Sequence, residues 1–263
     1  MVVSRLSDEQ ISRAFGEIFG KVSEIMKWSE RAKGLSPVPG SPLSGDDRIS
    51  FPYQVSHGVR GSLAIATEHI DALNKLVSVS EVLHPSAPFT LVRGAIEAAS
   101  AALWMLTPKQ RSERVLRRLR FLAKDLYLNS AVLVELGVKN PPSVTERTEK
   151  LLAIARRASG DTDVKLTRPT STEIVREASS ASQSSLNVLA AWQVCSGFAH
   201  GMPWAGLGML EKEQSETDDE RVVSLRLSSS LDRVLWATRA AMDVIEKAHA
   251  ECVRMSQDYI VVA

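Results

Sequence analysis

The chain has few cysteines and no long hydrophobic run. Only Cys195 and Cys252 occur among its 263 residues, which excludes a disulfide-dense scaffold and a multi-cysteine zinc module. No run of 18 apolar residues occurs, and even the stretch GAIEAASAALWML carries Glu97, so no membrane span is predicted. The opening MVVSRLSDEQ lacks the basic and apolar regions of a signal peptide. We therefore expect a cytoplasmic protein with two reduced thiols.

A charge excess and the common chemical motifs are also missing. The formal net charge is +1, which gives no global signal for nucleic acid or a membrane surface. The motifs GxxxxGK[ST], GxGxxG and HExxH do not occur, so a phosphate-binding loop, a dinucleotide site and a helical zinc site are not predicted. We expect no cofactor and no metal.

Helical periodicity dominates what is present. The first predicted helix runs from about Ser7 to Arg31, and Ser7 with Gln10 forms a capping box at its start. Its apolar residues recur at alternating steps of 4 and 3: Ile11, Phe15, Ile18, Val22 and Ile25. Similar apolar stripes predict helices over 59–79, 87–106, 107–136 and 230–255, a cap at Ser143 predicts one over 143–158, and short helical signals follow at 171–178 and 184–199. These patterns predict an all-α fold, with residues 1–263 forming one antiparallel helical bundle.

Local signals refine this architecture. Small residues are dense in the middle of 87–106, which predicts a central helix that its neighbours approach closely. Thr107 and Pro108 predict the start of the next helix. Residues 206–211 and 221–227 read as a small β-hairpin before the last helix, joined by the solvated acidic segment EKEQSETDDE.

A proline- and glycine-rich segment over 34–58 is predicted to be a loop. Its prolines remove backbone donors and fix φ, so we expect neither a helix nor an inner strand there. A loop of this length is uncommon inside a domain. It is either a connection that crosses from one helix to the next or a lid over a site.

The predicted central helix carries a polar stripe beside its apolar one. Arg93, Glu97, Ser100 and Trp104 follow at steps of 4, 3 and 4, and Arg93 with Glu97 forms an i,i+4 pair. The stripe either faces a cavity between helices or contributes an ion pair that ties helices together.

Residues 109–124 form a basic cluster, with seven cations and one acid, Glu113. Guanidinium forks suit phosphates, so Arg114, Arg117 and Arg118 are candidate binding residues for RNA or a nucleotide. The alternative is a solvated face balanced by the acidic hairpin tip.

Two histidines stand out at helical positions. His200 ends a predicted helix in CSGFAHGMPW, where it could act in acid–base chemistry or only cap the helix. His249 lies on the apolar stripe of the last helix and is predicted to be a core residue with a satisfied ring. With Arg93 and Glu97, His200 completes the candidate catalytic set.

The segments LVRGAIEAASAALWML, RSERVLRRLRFL and CSGFAHG, followed by a hairpin and a last helix, resemble bacterial all-α proteins related to the HEPN superfamily. The resemblance covers roughly residues 57–255. It implies a homodimer and a role in bacterial stress or phage defence. It also implies a metal-independent ribonuclease whose histidine follows closely after an arginine, but the window AAWQVCSGFA before His200 has no arginine.

Two functions therefore compete. The first is a helical binding or interaction module whose ligand the sequence does not identify. The second is a HEPN-type ribonuclease in which His200 acts as acid or base and Arg93 or Arg118 stabilises the phosphorane. The missing arginine favours the binding module. We further predict that Arg93, Glu97 and His200 face one common space between helices.

Overall fold

Helices account for most of the chain in the computed structural model, which describes residues 6–30, 37–219 and 221–257. The elements in order are α1 (Asp8–Glu30), α2 (Pro42–Ser50), α3 (Val55–Asn74, continued by a π turn over Lys75–Val79), α4 (Ala87–Leu106), α5 (Arg111–Glu135), α6 (Val144–Ser159), α7 (Ser171–Ser182), α8 (Val188–Ala199), α9 (Pro203–Met209), β1 (Glu211–Ser215), β2 (Ser224–Ser228) and α10 (Leu231–Ser256). The strands pair antiparallel, from Glu211 opposite Ser228 to Ser215 opposite Ser224. The predicted all-α fold with one small hairpin before the last helix is confirmed.

Helix α4 is the centre of the bundle, as its small residues predicted. It packs against α3, α7, α8 and α10, and Ala95, Ala99 and Ala102 are fully buried at these contacts. Small side chains reduce the distance between helix axes. By length and composition α4 could cross a membrane, but 67% of its most apolar window is buried inside the protein, as expected of a core helix.

The capping and periodicity predicted for α1 are confirmed. The Ser7 backbone N–H donates to the Gln10 side-chain oxygen (2.9 Å), and the Gln10 N–H donates to Ser7 Oγ (3.2 Å). All five predicted apolar positions of the helix are buried. The predicted end at Arg31 lies outside the described residues.

The loop predicted over 34–58 is wrong for residues 42–50 and 55–58, which are helical, whereas residues 37–41 and 51–54 do form connections. Residues Pro42–Ser50 form α2, and Ser41 caps it by accepting the Ser44 N–H (3.2 Å). Pro42 stands in the first turn, where a missing N–H costs nothing, so this proline starts a helix instead of breaking one. Because Leu43 and Asp46 are fully buried, α2 is part of the core and is neither a loose crossing segment nor a lid.

Two other predicted boundaries are also wrong. Thr107 ends α4, where its Oγ1 donates to the Leu103 carbonyl (2.6 Å), and α5 begins only at Arg111. Residues 206–209 belong to α9, because Pro203 occupies the first turn of a helix there. The first strand therefore lies within the acidic segment, at Glu211–Ser215, and is exposed throughout.

Candidate functional site

A cavity of about 440 Å³ lies between α3, α4, α5 and α7, and we call it the α4 cavity. Its apolar wall comprises Ile65, Ala98, Ala101, Phe121, Leu128 and Ile174. Its polar lining comprises Ser62, His69, Arg93, Glu97, Lys124, Asp125 and Ser171, and Gly94 completes the wall. The predicted stripe of α4 therefore supplies Arg93 and Glu97 to a cavity between helices.

Several charged groups of the α4 cavity are linked to one another by an ion pair and hydrogen bonds. Arg93 Nη2 is 3.0 Å from Glu97 Oε2, and Ser171 Oγ donates to Glu97 Oε1 (2.6 Å). Lys124 Nζ in turn donates to Ser171 Oγ (3.2 Å). Both Glu97 oxygens are therefore engaged by the protein, and the chain Lys124–Ser171–Glu97–Arg93 links α5, α7 and α4.

His69 enters the same cavity through a gap left by Gly94. A Cβ atom at position 94 would lie 2.4 Å from His69 Nε2, so any larger residue would displace the ring. His69 Nδ1 is 2.8 Å from the Ile65 carbonyl. A carbonyl only accepts, so Nδ1 carries the proton in the tautomer that forms this bond, and Nε2 is then the acceptor.

Two polar groups of the α4 cavity are free acceptors, and the Ser62 hydroxyl beside them can accept or donate. Within the described residues, neither His69 Nε2 nor the exposed Asp125 carboxylate has a hydrogen-bond partner. Sequence reasoning missed both residues, although Ser62, Ile65 and His69 share one face of α3 at steps of 3 and 4. The approach of Ser171 to Glu97, 74 positions away, carries no local sequence signal.

His200 lies outside the α4 cavity. It ends α8 with an exposed side chain and lines a neighbouring cavity of about 390 Å³ with Trp192, Ser196, Met202 and Trp204. Ser196 of this second cavity accepts a hydrogen bond from Arg93 Nε (3.3 Å), and Arg93 lines the α4 cavity. The common space predicted for Arg93, Glu97 and His200 is thus divided in two.

Arg114 is not a surface residue. Its guanidinium donates to both Asp46 oxygens (2.6 and 2.8 Å) and to the carbonyls of Pro108 and Lys109 (2.9 and 2.8 Å). Arg111 adds a third bond to Asp46 (3.2 Å). Burial raises the pKa of Asp46, and the two guanidiniums lower it in part. This cluster fastens α2 to the start of α5.

Arg117 is also held by the protein. It pairs with Glu177 of α7 (2.8 Å), donates to the Trp104 carbonyl (2.8 Å) and stacks over the Trp104 ring at 4.9 Å. The indole Nε1 of Trp104 and the Ser100 hydroxyl are buried without a hydrogen-bond partner. Glu177 of α7 and Glu113 of α5, whose Oε1 lies 3.6 Å from Arg117 Nε, balance the charge of Arg117.

Arg118 is the third predicted binding arginine. Its Nε donates to the Gln54 carbonyl (3.2 Å), and its guanidinium packs on Gly58, where a Cβ would lie 2.8 Å from Cζ. Burial lowers the pKa of Arg118, while Asp125 and Asp47 act in the opposite direction.

The two cysteines and His249 are structural. Burial raises the pKa of Cys195 to about 12 and that of Cys252 to about 11, so both thiols are protonated at neutral pH. Burial also lowers the pKa of His249, which packs edge-on against Trp28. The prediction of a satisfied ring is wrong for His249, because its Nε2 is buried without a partner.

Within residues 6–30, 37–219 and 221–257 no three His, Cys, Asp or Glu residues are grouped to hold a metal ion. Comparison with protein-family models, curated proteins and solved structures finds no match for the chain.

Proposed function

We propose that the chain is a binding module for a small organic molecule, held in the α4 cavity. The observation that carries this proposal is the division of the cavity into an apolar wall and a polar side on which His69 Nε2 and the Asp125 carboxylate are free to accept hydrogen bonds. A volume of about 440 Å³ suits a ligand of this class. The proposed ligand has an apolar body and a donating group, of which a protonated amine is the simplest. The expected location is the cytoplasm.

Arg93, Glu97, Lys124 and Ser171 act as positioning residues in this proposal. Their bonds to one another hold α4, α5 and α7 at a fixed separation. A ligand that displaced these bonds would leave charged groups unpaired, which is costly in a partly buried site. The ligand therefore gains more from the free acceptors than from the paired cations.

A matched pair of amphipathic molecules tests the proposal. We expect 2-phenylethylamine at millimolar concentration to shift the backbone amide signals of Ile65, Gly94 and Phe121 in NMR spectra, and 3-phenylpropanoate to leave them unchanged. Ala98→Phe places a ring in the cavity and should abolish the shifts. Ala250→Phe, at an exposed position of α10, should retain them. Equal responses to both molecules, or none to either, would overturn the proposal.

The ribonuclease implied by the HEPN resemblance is tested separately. His200 would have to act from a cavity that Arg93 and Glu97 do not line, so the geometry favours the binding module. Incubation with single-stranded RNA and a metal chelator measures the activity directly. Cleavage that is lost in His200→Ala but kept in Ala98→Phe would replace our proposal with the ribonuclease.

We further propose a homodimer formed through the C-terminal half of α5. Leu128, Val132 and Leu136 lie on one helical face at steps of 4, and all three are exposed. An antiparallel pairing centred on Val132 would place Leu128 against Leu136 of a second copy. Because Leu128 also lines the α4 cavity, the second copy would cover its open side.

Sedimentation at micromolar concentration tests the dimer. We expect about twice the chain mass of 28.8 kDa, and the single-chain mass for Val132→Asp. Val134→Asp, on another face of the same helix, should leave the dimer intact. A single-chain mass for the unaltered protein would refute the dimer.

A further inference from the structure

A further cavity lies between α2 and the start of α3, away from the α4 cavity and from the cavity beside His200. It has a volume of about 520 Å³, and we call it the α2–α3 cavity. Its lining comprises Pro37, Ser44, Asp47, Arg48, Phe51, Gln54, Ser56, His57 and Arg60. Two arginines and a histidine thus face a space lined by a single carboxylate.

The carboxylate is already engaged by the protein. Asp47 Oδ1 accepts the backbone N–H of Ser56 (2.9 Å), and Oδ2 accepts the Ser56 hydroxyl (2.5 Å). Asp47 therefore caps the first turn of α3 from α2, and neither arginine of the cavity forms an ion pair with it.

Arg60 is a partly buried cation without a hydrogen-bond partner among the described residues. Burial lowers the pKa of its guanidinium, and the Asp47 carboxylate raises it only in part. Removing a charge from water is costly unless something replaces the lost hydration. An anion in the cavity would supply that replacement.

Neighbouring charges strengthen the positive field of the cavity. Arg48 and His57 are exposed and likewise have no described partner. Arg118 lies behind the cavity, bonded to the carbonyl of the lining residue Gln54. The nearby Asp46 adds little to the negative charge, because Arg114 and Arg111 form ion pairs with it.

We propose that the α2–α3 cavity binds a phosphate monoester, whose phosphate contacts Arg48 and Arg60. A guanidinium fork matches two phosphate oxygens at once, and His57 is placed to donate a further bond. Phe51 is 65% exposed at the rim, where its ring offers a stacking surface for an aromatic group on the ester. The proposal does not depend on the ligand of the α4 cavity.

Calorimetric titration tests the proposal with three named molecules: inorganic phosphate, adenosine 5′-monophosphate and adenosine. Ionic strength is held constant with sodium chloride. We expect phosphate to bind, the monophosphate to bind more tightly, and adenosine not to bind. Adenosine that binds as tightly as the monophosphate would overturn the proposal, as would no binding of phosphate or the monophosphate at about 10 mM.

Variants distinguish a binding role from a structural role for Arg60. Arg60→Gln should weaken phosphate binding about tenfold or more and leave the melting temperature unchanged or raised, because an unpaired buried charge is removed. Arg48→Gln should weaken binding by a smaller factor. Arg176→Gln, an exposed arginine of α7 that does not line the cavity, is the control and should bind like the unaltered protein. Unchanged binding by Arg60→Gln would overturn the proposal.

Discussion

The arginines of α5 and those of the α2–α3 cavity differ in their partners. Arg114 and Arg117 make several bonds each to Asp46, Glu177 and backbone carbonyls. Arg48 and Arg60, by contrast, have no described hydrogen-bond partner. The density of arginine in the sequence is highest on α5, yet those guanidiniums are the less available ones. Charge density in a sequence therefore locates cations but does not tell which of them are free to bind.

The comparison assigns a different energetic role to each group. A buried arginine that is bonded to a carboxylate is required by the fold, because removing its partner leaves an uncompensated charge. A partly buried arginine without a partner adds little to stability and gains most when a ligand arrives. Stability measurements and binding measurements should therefore separate the two groups.

Asp46→Ala should have the largest effect on stability. It leaves Arg114, whose side chain is 6% exposed, without its carboxylate, and we expect a loss of about 3–5 kcal/mol in the free energy of unfolding. Urea denaturation measures it. Asp46→Asn keeps the shape and one acceptor and should lose less. A loss below about 1 kcal/mol for Asp46→Ala would mean that the cluster does not fasten α2 to α5.

Arg117→Ala should have an intermediate effect. It removes the ion pair with Glu177, the bond to the Trp104 carbonyl and the stacking on the Trp104 ring. We expect a loss of about 2 kcal/mol in the free energy of unfolding, measured by urea denaturation. Arg176→Ala, at an exposed position, is the control. Phosphate affinity should not change, and a large fall in affinity would move the anion site to α5.

Glu97→Ala should lower the free energy of unfolding by about 1 kcal/mol, which is less than the loss for Asp46→Ala or Arg117→Ala. The side chains of Arg93 and Glu97 are 28% and 32% exposed, so water compensates Arg93 in part when its partner is removed. Glu97→Gln, which keeps an acceptor for Ser171, should lose less still. A loss as large as that of Asp46→Ala would show that the Arg93–Glu97 pair is a buried structural pair after all.

Local signals predicted much of the fold. The bounds of α4 and the cap of α6, where Ser143 accepts the Glu146 N–H (3.2 Å), follow from nearby residues. Helix α2 was missed because its prolines indicate a break, whereas Pro42 stands in a first turn. What makes α2 a core element is the contact of Asp46 with Arg114, 68 positions away, which no local pattern reveals.

The candidate site was predictable only in part. The Arg93–Glu97 pair follows from its spacing on one helix, and its place in a cavity follows from its position beside the apolar stripe. The contributions of Lys124 and Ser171 depend on how α5 and α7 pack against α4. Asp47 does not pair with Arg60 because it accepts two hydrogen bonds from Ser56. No helical spacing indicates this tertiary contact.

The arginine side-chain Nε–H signals in NMR spectra during a phosphate titration test the central claim most directly, because each signal reports on one guanidinium. The account predicts that the signals of Arg48 and Arg60 shift with phosphate and saturate together, while those of Arg114 and Arg117 stay in place. Shifts of Arg114 or Arg117 with unmoved Arg48 and Arg60 signals would contradict it.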